Sequence, residues 1–187
     1  MTRHRIMIEK WKYDEAGQDV KRSTSRDPNE ISAPLEHLEE LKKSDYKISD
    51  HLSGIYGWQV LLNTGGKVGR LKDFLFDRNH KRIRYLVVTL EKGRNTKENK
   101  NILIPVGKAE INQQPEKIII QKEITSEELL NLPEFTNVKS LAIEDEKETV
   151  RAFAGSSTKE IPYTEENFYD REEFREENFF GDLHDKG

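Results

Sequence analysis

Asp73 and Asp77, four residues apart, are the pair whose type and spacing come nearest to acid–base chemistry in this sequence. On an unbroken strand they would share a face, and neighbouring like charges raise one pKa, as a proton-transfer pair requires. A structural role competes with that reading. Asp73 can bond backbone groups at a corner, and Asp77 can open the turn Asp77-Arg78-Asn79-His80-Lys81. The structural role is the simpler one, so no catalytic residue is assigned. His4, His37, His51, His80 and His184 are scattered without a pair at metal-ligand spacing. With no cysteine, a disulfide framework and a thiolate zinc site are excluded. Gly65-Gly66-Lys67-Val68-Gly69 lacks the spacing and the Lys-Ser/Thr pair of a phosphate loop. No serine, histidine and acid order suggests a nucleophile. No metal, no cofactor and no enzymatic activity are therefore expected.

Arg70, Lys72, Arg78, Lys81, Arg82 and Arg84 form the densest basic region. Nucleic-acid binding would need them on one face beside exposed aromatic platforms. Arg82 and Arg84 alternate along a strand and are expected on one solvated face, which makes them candidate contacts. A polar strand face reads the same way, so nucleic acid is not the expected partner. The net charge of −4 hides a mildly basic middle and an acidic end, since residues 127–187 hold seven Lys/Arg against seventeen Asp/Glu. Within that end, Glu165-Glu166-Asn167-Phe168-Tyr169-Asp170 recurs eleven residues later as Glu176-Glu177-Asn178-Phe179-Phe180-Gly181-Asp182, with Phe174 between. Eleven residues is about three helical turns, which would set Phe168 and Phe179 on one side of a helix for docking into an apolar groove. A solvated acidic extension is the default against which docking is weighed.

The elements that position these residues are mostly strands. Asn63-Thr64-Gly65-Gly66 supplies positive-φ residues between two aliphatic runs, predicting a hairpin between residues 58–62 and 67–77. Val68, Leu71, Phe74 and Phe76 do not share one parity, so a bulge between Gly69 and Asp73 is expected. Residues 82–90 end with apolar side chains on both faces, as in a strand covered on two sides. Residues 100–106 follow, with Pro105 marking an edge or corner. Residues 109–112 and 116–122 predict a second hairpin, and residues 48–52 a first strand. Pro34 and leucines at every third position predict a short helix over 34–42. Thr125 and Glu128 predict a capping box opening another. Tyr56, Trp58, Phe74, Phe76 and Tyr85 are the aromatic residues expected to govern stability or contact.

Gly57, Val60, Gly66, Val68-Gly69, Leu71, Asp73, Leu75, Asp77, Ile83, Tyr85-Leu86-Val87-Val88 and Ile104-Pro105-Val106 together resemble the PRC-barrel domain family. That family is named for the cytoplasmic domain of the photosynthetic reaction-centre H subunit and also occurs in a ribosome-maturation factor. The resemblance spans roughly residues 46–122 and rests on turn and core positions: Gly57, Val60, Gly66, Gly69, Asp73, Asp77, Tyr85 and Pro105. It implies a mainly β protein with a small antiparallel barrel of six or seven strands and short flanking helices. It speaks to fold and hardly to activity.

The expected organisation is a polar arm over residues 1–34, the barrel with flanking helices over 35–132, and an acidic, aromatic-containing extension over 133–187. With 34% hydrophobic and 35% charged residues, the chain is too polar to bury all of itself in one core. No secretory signal or apolar span is visible, and a cytoplasmic location is expected. The expected role is a non-enzymatic interaction or adaptor module with a protein partner, including a second copy of itself. Phe168, Phe174, Phe179, Arg82 and Arg84 are the candidate contact residues. The resemblance offers two alternatives, a reaction-centre role in electron transfer and the binding of a ribosomal protein or RNA.

Overall fold

A computed structural model of the chain describes residues 9–10, 35–48, 52–91, 99–154 and 165–181. Turn chemistry sets the topology. Gly65 adopts φ +92° between β4 (Gln59–Leu62) and β5 (Lys67–Asp77), a conformation glycine takes without steric cost, and the Leu62 N–H donates to the Gly66 carbonyl at 2.8 Å. Gly57, at φ +86°, donates its N–H to the Leu71 carbonyl at 2.7 Å. The next reversal leads to β6 (Arg82–Leu90), and there the positive φ, +53°, falls on Lys81.

β7 (Lys100–Pro105), β8 (Ala109–Gln113) and β9 (Glu116–Ile120) complete a sheet in the order β7-β6-β5-β4-β9-β8, with β2 (Leu38–Glu40) paired to the far end of β5. Seven strands are hydrogen-bonded, all antiparallel except the parallel β4–β9 pair. β1 (Glu9–Lys10) and β3 (Tyr46–Lys47) form a separate antiparallel pair. The edge strands β7 and β8 are joined by the 3-10 turn Val106–Lys108, which brings their ends to one corner, yet no ladder connects them. The sheet is therefore mixed and open among the described residues, where a closed antiparallel barrel was expected. Pro105 has no N–H to extend the β7 ladder, and β8 leaves the corner paired with β9.

Strand pairing also overrides the helix expected over residues 34–42. β4 covers only the first part of β5, and Leu38–Glu40 takes the exposed edge opposite Leu75–Asp77 before the 3-10 turn Leu41–Lys43. A ladder edge that must be satisfied outweighs a weak helical preference. The leucines that suggested a helix, Leu35, Leu38 and Leu41, are buried all the same. Pro34 lies outside the described residues. Of the strand expected over 48–52, Ile48 and Leu52 are buried but neither is in a strand, and 49–51 lie outside the described residues.

Bulges reconcile the broken alternation. The β5–β6 register shifts between Leu71 and Asp73, where Lys72 is extra, and again where Leu75 pairs with Tyr85 but Phe76 with Ile83, making Arg84 extra on β6. Phe74, Phe76, Leu86, Val88, Ile102 and Ile104 then face the concave core, while Leu75, Tyr85, Val87 and Leu103 form a second apolar layer on the opposite face. That outer layer is covered by Phe135, Val150, Phe168 and Phe174. β6 is thus buried on both sides, as its sequence predicts.

Among the described residues three α-helices follow the strands: α1 (Ser126–Asn131), α2 (Ile143–Ala154) and α3 (Glu176–Phe180). Thr125 and Glu128 close the predicted capping box, with the Glu128 N–H on Thr125 Oγ1 at 3.1 Å and the Thr125 N–H on Glu128 Oε2 at 2.7 Å. α2 turns Glu146, Thr149, Val150 and Phe153 inward, the i, i+3, i+4, i+7 stripe of a helix on a core. No helix among the described residues is long and apolar enough to cross a membrane.

At Gly69 a Cβ would sit 2.2 Å from the Thr89 carbonyl oxygen, an approach backbone cannot relieve by a rotamer change. Gly69→Ala is expected to lower unfolding free energy by about 1–3 kcal/mol in urea titration. Gly54→Ala, with nothing within 4 Å of the added carbon, should stay within about 0.5 kcal/mol. Equal effects at the two positions would contradict the close strand approach.

Candidate functional site

Asp77 ends β5 completely buried, and every polar contact of its carboxylate is local or long-range structure rather than open space. Its Oδ1 accepts the backbone N–H groups of Asn79 and His80 at 2.8 and 3.0 Å, closing the turn to β6. Its Oδ2 accepts the Tyr169 hydroxyl at 2.6 Å and lies 2.9 Å from His80 Nδ1 and 3.4 Å from His37 Nε2. Burial pushes this carboxyl up, but the bonds from His37, Tyr169 and the His80 backbone outweigh burial and hold it below the usual 3.8.

The bulge at Arg84 places that side chain on the same outer face as Tyr85. Arg84 Nε is 2.9 Å from Glu146 Oε1, Nη1 is 3.1 Å from His37 Nε2, and the guanidinium lies 3.4 Å from the centre of the Phe168 ring. The Tyr85 hydroxyl donates to the same Glu146 oxygen at 2.7 Å. Burial disfavours the Arg84 cation, but the Glu146 carboxylate overrides it and raises its pKa. Burial also raises Glu146, against the opposing pull of Arg84 and Tyr85. Tyr85 and Tyr169 are raised by burial, so both phenols stay protonated as donors. The arrangement can hold charge in a dry interior. Arg84, Tyr85 and Glu146 lie buried among Phe168, Phe174 and α2, while Tyr169 is half-buried.

Asp73 and Asp77 do not form a pair. A register shift separates them, and Asp73 Oδ1 instead accepts the N–H groups of Phe74 and Lys42 at 2.8 and 3.2 Å. Burial raises the Asp73 carboxyl despite those bonds. Lys42 Nζ lies 4.3 Å from the centre of the Tyr56 ring, and burial, followed by the Asp73 charge, pushes the Tyr56 hydroxyl up to about 12. Tyr56 and Trp58 are half-buried, whereas Phe74, Phe76 and Tyr85 are fully inside.

Of the candidate contact residues, Phe168, Phe174, Phe179 and Arg84 are buried, on two faces of the sheet, and Arg82 is half-buried. The described part of the C-terminal segment lies on the sheet, so the solvated extension is not what these residues form. Nor is it one helix: 3-10 turns at Glu165–Asp170 and Glu172–Phe174 precede α3. Phe168 and Phe174 join the outer layer, while Phe179 and Phe180 plug the concave core, with Phe179 edge-on to Phe74 at 6.0 Å. The three-turn spacing is interrupted because Arg171 and Arg175 adopt extended backbone angles. Arg84 is 3% exposed, a correction to the solvated face assumed for it, and the basic region is split accordingly. Arg82 lies 5.5 Å from the Tyr169 ring, Arg78 approaches Glu39, and Arg70 donates to the Gly57 carbonyl.

His37, Glu146, Tyr169 and Gly107 were not visible as partners in the sequence. α2 was not anticipated within the acidic extension, because two of the four members of its buried stripe are polar. A groove of about 940 Å³ lies at the outer edge of β2, with Leu35, Leu38, Val138 and Leu141 among charged neighbours that include Glu36, Glu39, Arg78 and Lys139.

Residues 49–125 match the family model of the PRC-barrel domain. The chain carries a PRC-barrel domain. The match runs from just ahead of β4 to the cap of α1, so the PRC-barrel region contains Asp73, Asp77 and Arg84, while the groups that neutralise and cover them lie on either side. No curated protein matches the chain.

Glu146→Ala removes the carboxylate beside a buried guanidinium and should cost about 3–5 kcal/mol by urea unfolding. A loss below about 1 kcal/mol would show Arg84 to be neutralised elsewhere. Asp77 gives a pH signature. Because its folded pKa is depressed, its contribution is present above 3.8 and lost as pH falls below it. The stability gap between the native protein and Asp77→Asn should therefore narrow from pH 5 to pH 2. Glu146 and Asp73, both raised, act in the opposite sense but are common to the two proteins. A gap that stays constant over that range would contradict the assignment.

Proposed function

We propose that the protein is a non-enzymatic interaction module whose PRC-barrel sheet presents the β2 groove to an extended segment of a protein partner. The observation that carries this reading is the groove itself. β2 pairs with β5 along one edge, and among the described residues its other edge carries no strand. A free strand edge beside apolar side chains is the arrangement that peptide strands recognise by main-chain bonding and side-chain pockets. Its volume suits several side chains, and its neighbours lack a nucleophile with an adjoining base.

A displayed peptide library selected on the full chain tests this reading. Enriched peptides should bind the native protein and lose at least ten-fold in affinity to Val138→Asp, a half-buried position on the groove wall. Binders indifferent to Val138→Asp, or no enrichment at all, would remove the groove as the interaction surface.

A further inference from the structure

The corner where the sheet stays open among the described residues is covered by the C-terminal segment. Pro105 ends β7 opposite Tyr85, so Ile83, two residues further along β6 and opposite Phe76 of β5, lies beyond the β7 ladder, and its N–H donates to the Glu176 carboxylate. At Gly107 a Cβ would sit 2.2 Å from the Glu172 carbonyl oxygen, so the missing side chain is what lets a crossing backbone pass. The Gly107 carbonyl accepts from Asn178 Nδ2 at 3.2 Å, and Lys108 Nζ lies 3.2 Å from Glu172 Oε1. Tyr169 reaches Asp77, and Phe168, Phe174, Phe179 and Phe180 are each at most 3% exposed. Residues 165–181 add no strand to the sheet; they are held by aromatic anchors, carboxylates and an amide. This is the pattern of a bound peptide, in which a few aromatic anchors carry most of the energy.

We propose that this corner is a recognition site for an acidic segment of the Glu-Glu-Asn-Phe type, filled by the chain's own residues 165–181 and open to the same segment from a second copy. The second copy of the repeated motif is seated on it through Glu176, Asn178 and Phe179, against Ile83, Gly107 and Phe74, while Phe168 of the first copy lies over Arg84. The ten residues 155–164 joining α2 to the segment can span at most about 33–36 Å. Covalent attachment within that reach makes binding of the segment intramolecular. The chain's own segment therefore outcompetes a free one, while reciprocal exchange between two copies reproduces every contact and closes a two-fold dimer. The inference uses no residue of the β2 groove, so each stands or falls separately.

A fluorescent peptide of residues 165–181 titrated into full-length proteins is the test. Phe168→Ala with Phe174→Ala in the full chain loosens the resident segment without touching its seat. It should bind the peptide at least ten-fold more tightly than the native protein does. The same peptide carrying Phe174→Ala and Phe179→Ala should not bind. If the double variant lacks a cooperative melt, Tyr169→Phe replaces it, with a few-fold gain expected. Energy transfer between two differently labelled native populations should rise with concentration. Equal peptide affinity for native and loosened chains, no uptake by a folded loosened chain, or uptake abolished by Val138→Asp would overturn the assignment.

Discussion

A guanidinium inside the protein is the constraint around which the outer half of this structure is organised. Arg84 is carried inward by a one-residue bulge, and a buried cation is tolerated only when it is paired and hydrogen-bonded. Glu146 supplies the charge from α2, His37 a nitrogen from ahead of β2, and Phe168 a ring face from the C-terminal segment. Three stretches distant in sequence are thus tied to one strand residue. Asp77, one turn away, repeats the logic with the opposite sign and joins β2, the β5–β6 turn and Tyr169.

Burial of β6 on two faces follows from the same arrangement. A sheet of this size with one solvated face would leave Leu75, Tyr85, Val87 and Leu103 exposed, a patch that soluble proteins cover or use. Here α2 and residues 165–174 cover it, and α3 plugs the concave side at the corner that Pro105 and Gly107 leave without a ladder. The covering layers lie outside the PRC-barrel match, yet they contribute residues to both apolar clusters.

Function then depends on which surfaces the covering leaves free. The polar cluster is spent on holding the layers together, whereas among the described residues the β2 edge carries no further strand and has apolar side chains at hand. The interaction role proposed above is compatible with such a division, since docking needs only shape and unsatisfied edges.

Local rules written in the sequence determined much of the PRC-barrel region. Gly65 and Asp77 set the turns, Gly69 the close approach to Thr89, Thr125 and Glu128 the start of α1, and the parity break of Val68, Leu71 and Phe74 announced a bulge. Each involves residues near one another in the chain, or a backbone requirement that only one residue type meets. The tertiary structure decided the rest. Residues 38–40 became strand because β5 offered an edge there, the sheet stayed open among the described residues because β7 and β8 share no ladder, and Phe168 and Phe179 of the twin motifs went to two different apolar layers. Arg84 looks like any solvated strand residue until the bulge, Glu146 and Phe168 are in place, because pairing across tens of residues leaves no periodic trace in sequence.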